Sequence, residues 1–274
     1  MLCILRVLYD VVLSDGGIKM EFGLCTIALS DKPILEALDI AHRCGCDGVE
    51  IWGKDGHLPP EVSDEEIERV KKLCEERNLQ IITYGSYLRL LSDEFEQSYR
   101  RVVDCADTLG ARMIRIWAGH ISSKDATDDI VDTAAEQLQK LGDYADDKDL
   151  LIVIENHDNS LADNSQMILR LINQASRKNV KSYWQPSFRG DREDWYQSLR
   201  NLLPVLAGIH AQNYSGEYTT RKQTFNGDVD YTKIASILKE HDIHCPIFVE
   251  FPAPGEPAQT IADDINYLKS IFNF

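Results

Sequence analysis

From about residue 20 onward, short apolar runs alternate with amphipathic segments, and the alternation recurs eight times. The runs lie near 21–26 (EFGLCT), 47–52 (DGVEIW), 79–84 (LQIITY), 112–118 (RMIRIWA), 150–155 (LLIVIE), 180–185 (VKSYWQ), 206–212 (LAGIHAQ) and 246–251 (PIFVEF). Each is apolar on successive residues rather than on every second one, as in strands buried on both faces of a parallel sheet. Between them, apolar residues return at helical spacing, as in Phe95, Tyr99, Val102, Ala106 and Leu109, in Ile130, Ala134, Leu138, Leu141 and Ala145, and in Ile261, Ile265, Leu268 and Phe272. Such stripes cover a sheet. Ser63-x-x-Glu66 reads as a capping box, and Asp230 stands where a helix through Ile234 and Leu238 would start. Strict alternation without a linker predicts an α/β fold, a single-domain (β/α)8 TIM barrel over residues 20–274. The competing doubly wound open sheet normally carries a glycine-rich turn after its first strand. Here the first run leads into Thr26-Ile27-Ala28-Leu29-Ser30, which has no glycine.

The chain of 274 residues is long enough to bury a full core without disulfides or a structural metal. Its formal charge is −16, from 29 Lys and Arg against 45 Asp and Glu, which disfavours nucleic acid and anionic membrane as partners. The seven cysteines are odd in number and mostly sit inside apolar runs, the pattern of reduced thiols in a cytoplasmic protein. Residues 1–19 (MLCILRVLYDVVLSDGGIK) are interrupted by Arg6 and Asp10, are too short to span a bilayer, and show no convincing cleavage site. They read as an N-terminal extension to a cytoplasmic barrel that begins at Met20. Homo-oligomers are common among such barrels, although nothing in the sequence reads as an interface.

In a barrel, chemistry collects at the C-terminal ends of the strands. The polar residues closing the runs are Glu50 and Trp52, Tyr84 and Tyr87, Arg115 and Trp117 followed by His120, Glu155-Asn156-His157, Gln185, His210 with Gln212, and Glu250. Burying Glu155 or Glu250 without a partner costs several kcal/mol, and two such carboxylates brought together repel unless a cation lies between them. With His210 they form a mixed oxygen and nitrogen set suited to Mn²⁺, Mg²⁺, Co²⁺ or Zn²⁺, to which Gln185 adds a neutral oxygen. Each residue alone has a bland explanation: a strand-end Glu is usually solvated or ion-paired, and a His usually a satisfied hydrogen-bonder. Arg115 suits either a structural pair with Glu50 or a substrate carboxylate or hydroxyl. His157, two residues beyond Glu155 on the same side of an extended chain, is a candidate general base. Trp52, Tyr87 and Trp117 serve as core or rim, or as stacking surfaces for a ring. The segment 213–229, containing Tyr214, Arg221, Lys222 and Phe225, is either a functional loop or a surface excursion.

The motifs LCTIALS, GVEIWG, RIWAGH, VIENHDNSLADN and NGDVDY resemble those of the xylose-isomerase-like TIM barrels, also called the sugar phosphate isomerase/epimerase or AP-endonuclease-2 superfamily. The resemblance runs from Met20 to the C-terminus. Within it, LCTI and E-x-H-x-N-x-L-x-D are most similar to 3-dehydroshikimate dehydratases. It implies a divalent metal held at Glu155, Gln185, His210 and Glu250, with Arg115 and His157 contacting substrate or moving protons. Three positions depart from the pattern: Gln185 replaces an aspartate, Phe188 a histidine, and Gln212 the lysine of the dehydratases. The endonuclease branch is disfavoured, since it needs a His-rich three-metal cluster and a basic face.

The leading expectation is a metal-dependent sugar or sugar phosphate isomerase or epimerase. It would shift a proton next to a carbonyl of a small polyhydroxylated substrate through an enediolate, with Glu155, Glu250 or His157 as the proton-moving groups. Substrate contacts would fall to Arg115, Trp117, Tyr87, Gln212 and Arg221. Loss of a β-hydroxyl at the same site would make the enzyme a dehydratase-like lyase acting on a cyclic keto acid. A third expectation is a catalytically decayed sugar-binding barrel, favoured by Gln185 and Phe188.

Overall fold

The computed structural model describes residues 20–187, 194–216 and 219–274. The expected extension 1–19 and Phe188 lie outside the described residues. Eight parallel strands close into a barrel: β1 (Phe22–Cys25), β2 (Gly48–Trp52), β3 (Gln80–Arg89), β4 (Met113–Trp117), β5 (Leu151–Glu155), β6 (Val180–Trp184), β7 (Leu206–Ala211) and, after a two-stranded excursion of β8 (Asn213–Ser215) and β9 (Thr220–Lys222), β10 (Ile247–Val249). Helices follow the barrel strands: α1 (Ile34–Arg43), α2 (Asp64–Glu75), α3 (Phe95–Leu109), α4 (Asp128–Asp146), α5 (Ser165–Ala175), α6 (Trp195–Leu202), α7 (Tyr231–Glu240) and α8 (Pro257–Ile271). The (β/α)8 expectation is borne out, with β1 pairing β10 to complete the ring.

Local signals act as their chemistry requires. The Ser63 hydroxyl accepts from the Glu66 N–H at 3.3 Å, and Asp230 caps α7 through the N–H groups of Thr232 and Lys233. The Glu66 carboxylate turns instead to Arg69, so only half of the predicted capping box forms. The apolar stripe of α3 is buried throughout, and that of α4 is buried except for the partly covered Ile130. The third strand runs past the expected 84 to Arg89, because Gly85 and Ser86 interrupt the apolar run without interrupting the chain's extension; the Ser86 hydroxyl donates to the Arg115 carbonyl at 2.6 Å. This extension carries Tyr87 to the barrel mouth.

Two packing layers meet on the strands. The larger faces the helices, and a smaller one inside the barrel contains Cys25, Ile82, Met113, Val153, Tyr183, Ala207 and Phe248. Gly208 leaves room for the Tyr183 ring, which would stand 2.6 Å from a Cβ there. The six cysteines among the described residues are free and buried. No helix among the described residues is long and apolar enough to cross a membrane.

The 213–229 segment is a hairpin tied at its base. Asn213 is fully buried, and its amide donates to the carbonyls of Thr224 and Val229 while its oxygen accepts from the N–H groups of Tyr214 and Val229. Thr224 is held to α8, its N–H and hydroxyl both donating to Asp264 Oδ1, at 2.7 and 2.8 Å. Burial, reinforced by nearby Asp263, pushes the Asp264 carboxyl up to about 6. A folded-state pKa above the unfolded one means that the cost of ionising Asp264 builds as pH rises from about 4 to about 6 and is present in full above that. Asp264→Asn keeps the acceptor and removes the charge. Its expected effect is a stability gain of about 1–3 kcal/mol at pH 7.5 that fades by pH 4, checked by urea unfolding across that range.

Candidate active site and metal centre

The C-terminal halves of the strands bring five charged side chains into the barrel. Glu50 comes from β2, Arg115 from β4, Glu155 from the end of β5, His210 from β7, and Glu250 from the residue following β10; none is more than 5% exposed. The Arg115 Nε donates to Glu50 at 3.2 Å, and its Nη1 lies 3.3 Å from Glu155. His210 is held from both sides, its Nε2 2.9 Å from Glu50 and its Nδ1 2.8 Å from Glu155 and 3.6 Å from Glu250. Gly85 makes space for this set, since a Cβ there would lie 2.5 Å from Glu50 Oε1 and 3.2 Å from an Arg115 nitrogen.

Ionised carboxylates only accept hydrogen bonds, so with both ring nitrogens facing carboxylate oxygens His210 is an imidazolium. Burial opposes that charge, but Glu50 and Glu250, with the hydrogen bonds from Glu155 and Glu50, raise its pKa well above the usual range. Burial likewise works against ionised Glu155, yet Arg115 and His210 hold it down at about 2. Burial pushes Glu250 up to about 7, and the negative charges of Glu155 and Glu50 add to the rise. Two cations thus face three carboxylates. The repulsion expected to require a metal ion is met in part by the protein's own Arg115 and His210, and Glu250 is the carboxylate left over.

Above this floor opens a cavity of about 200 Å³, lined by Arg115, Glu155, Gln212 and Glu250 below and by Tyr87, Trp117 and His157 along one wall. Trp117 is central to that wall: Tyr87 stacks on it at 6.0 Å, the His157 ring lies 4.2 Å away, and the Arg89 guanidinium sits 4.3 Å over it. The Tyr87 hydroxyl accepts from Trp52 Nε1 at 2.9 Å. The His157 Nδ1 lies 2.8 Å from the Asp158 carbonyl, which can only accept, so in the neutral ring Nδ1 carries the proton and Nε2 the lone pair. Arg221 is exposed and does not line the cavity; its guanidinium lies 4.6 Å over Phe251, which does. His120 is exposed.

Two groups of three potential ligand atoms lie within 4.8 Å of one another among the described residues: Cys25, Glu50 and His210, and Glu155, His210 and Glu250. The first is a poor donor set, because burial, with Glu50 and Glu250 nearby, keeps the Cys25 thiol protonated. The second fits a divalent cation. Its carboxylates face the cavity, and Glu250 Oε2 is buried with no hydrogen-bond partner. Gln185 lines the same cavity, but its Oε1 accepts from Gln212 Nε2. Glu50, expected only as a structural partner of Arg115, joins the site by supporting His210, which no sequence spacing indicates.

A family model described as "Xylose isomerase-like TIM barrel" matches residues 38–271. The 3-dehydroshikimate dehydratase of Bacillus anthracis is 23% identical over 252 residues, covering 81% of this chain and 88% of its own. The fructoselysine 3-epimerase of Shigella flexneri is 27% identical over 148 residues, covering 50% of this chain and 54% of its own. The solved structure of a xylose isomerase-like TIM barrel protein from Mycobacterium smegmatis in complex with magnesium matches with a TM-score of 0.74 at 15% identity, covering 93% of this chain and 97% of the other. The barrel, the converging strand ends and the family match agree: the chain belongs to the xylose isomerase-like TIM barrel family.

Proposed function

We propose that the chain is a divalent-metal-dependent isomerase or epimerase that moves a proton next to a carbonyl of a small polyhydroxylated substrate. The observation that carries this reading is the convergence of Glu155, His210 and Glu250 beneath a cavity that His157 also lines. Relatives named as an epimerase and a dehydratase, and a magnesium complex of the same fold, support it. Glu155, His210 and Glu250 would hold the ion, with His210 giving up its Nδ1 proton as it binds. A bound divalent cation supplies Lewis-acid stabilisation of the charge that develops on substrate oxygen when the neighbouring C–H proton leaves.

The chain's own groups divide the remaining work. Arg115, anchored by Glu50, presents a fixed cation to the cavity and keeps Glu155 ionised. His157 Nε2, the nitrogen left with the lone pair, would take or return the proton from the wall side, while Glu250, whose second oxygen is unpaired, would handle it from the floor. Tyr87 and Trp117 form an apolar face for the carbon skeleton of the substrate and limit water on that side. A second reading, loss of a β-hydroxyl to give a dehydratase-like lyase, is favoured by the dehydratase relative, which covers most of both chains.

Protein loaded with Mn²⁺ and incubated in D2O with a ketose is expected to return sugar labelled with deuterium at the carbon beside the carbonyl. Absence of label together with an aromatic absorbance from 3-dehydroshikimate assigns the lyase reading. Failure to take up Mn²⁺, Co²⁺ or Zn²⁺ on titration leaves only a sugar-binding barrel. Exhaustive chelation is expected to abolish turnover, and added Mn²⁺ to restore it, as followed by the same exchange assay. His157→Asn is expected to lower kcat by about 10²–10⁴-fold while metal uptake stays intact, whereas Glu250→Gln weakens metal uptake as well. Calorimetric metal titration beside the rate measurement separates the two variants.

A further inference from the structure

Gln185 is the point at which this chain departs from the aspartate that the family resemblance implies, and its surroundings fix what its amide does. The Gln185 N–H donates to Asn156 Oδ1 at 2.6 Å, and Asn156 Nδ2 donates back to the Gln185 carbonyl at 2.8 Å. The Gln185 side chain reaches the same residue, Nε2 donating to the Asn156 carbonyl at 2.9 Å. A main-chain carbonyl only accepts, so the atom facing it must be the amide nitrogen, and Oε1 must face the other way. There it accepts from Gln212 Nε2. The sense of the Gln212 amide follows in turn: its nitrogen is used, and its Oε1, buried and without a partner, is left to the cavity that Gln212 lines. The Gln212 main chain is also fixed, because the Tyr231 hydroxyl accepts from its N–H and donates to its carbonyl, both at 2.9 Å.

We propose, resting on the metal-dependent reading above, that Gln185 stays outside the coordination of the cation and is a positioning residue for Gln212, whose Oε1 is held toward the substrate as a hydrogen-bond acceptor. The cation would then take three protein ligands, Glu155, His210 and Glu250, and keep its remaining positions for water and substrate. Turning the Gln185 amide toward an ion would strip the Asn156 carbonyl of its donor and the Gln212 nitrogen of its acceptor, inside a buried site. A fixed acceptor at Gln212 selects a hydroxyl of the substrate and disfavours a carboxylate or phosphate at that point, because two acceptors meet without a proton between them. The backbone sets the direction of this relay, so it does not depend on the substrate being present.

Co²⁺ alone serves as the probe of coordination, titrated calorimetrically and through its visible absorption into the whole protein and into Gln185→Ala. The affinity is expected to stay within about threefold and the absorption bands to keep their positions, while Glu250→Gln loses both. The relay is read independently from the side-chain amide signal of Gln212 in ¹⁵N-labelled protein, assigned by its disappearance in Gln212→Leu. That signal is expected to move in Gln185→Ala, whose circular dichroism spectrum, matched to that of the unaltered protein, guards against a merely misfolded variant. A loss of about tenfold or more in Co²⁺ affinity, or a shift of the bands, in Gln185→Ala overturns the proposal by making Gln185 a ligand. A Gln212 signal indifferent to Gln185→Ala overturns it by removing the relay. If the unaltered protein takes up no Co²⁺, the metal-dependent reading itself fails and the coordination claim goes with it, a result distinct from either of the other two.

Discussion

An arginine and a histidine sealed among three glutamates set the terms for everything else in this barrel. Removing Arg115, His210, Glu50 or Glu155 would leave buried partners uncompensated, which costs several kcal/mol, so these side chains form one electrostatic unit rather than a collection of contacts. The unit also dictates small residues around it: Gly85 has no Cβ because Glu50 and Arg115 occupy that volume. The hydrogen bonds to His210 are what convert a packed core into a charged floor, since they hold two carboxylates at one imidazolium and leave a third with an oxygen unspent.

The barrel was legible because burial on both faces imposes an unbroken apolar run, a signal that survives in a single sequence. Where the strand pattern failed, the reason is local. The third strand continues through Gly85 and Ser86 because neighbouring strands supply its pairing, and the short strands 213–215 and 220–222 carry little apolar signal, with Thr220 and Arg221 exposed. Among the site residues, Glu155, His210 and Glu250 announced themselves as polar groups ending apolar runs, and the fold brings them together. The role of Glu50 was hidden, since nothing along the chain says that a residue on the second strand will support a histidine on the seventh. The state of Gln185 was hidden for a similar reason: its partners Asn156 and Gln212 lie 29 and 27 residues away, and only the pairing of β5, β6 and β7 makes them neighbours.

Floor and wall of the cavity differ in character, and the difference suits the proton transfer proposed above. The floor is charged and closely bonded, so with the proposed cation held there it would stabilise negative charge at a defined point without reorganising. The wall of Tyr87, Trp117 and His157 is aromatic, with one basic nitrogen and an indole N–H that has no partner. A substrate lying between them meets hydrogen-bonding groups on its oxygen-rich side and ring faces on its carbon side, an arrangement that a neutral or singly charged ring or chain can satisfy.

The bare backbone at Gly85 also governs how this lineage can change. Any side chain at that position collides with Glu50 before it touches anything else, so a larger residue becomes acceptable only after Glu50 has been shortened. Shortening Glu50 first unbalances the charges around Arg115 and His210. The order of substitutions is therefore constrained, and a descendant that shortens Glu50 and then fills the gap faces a route back that is closed by a single methyl group.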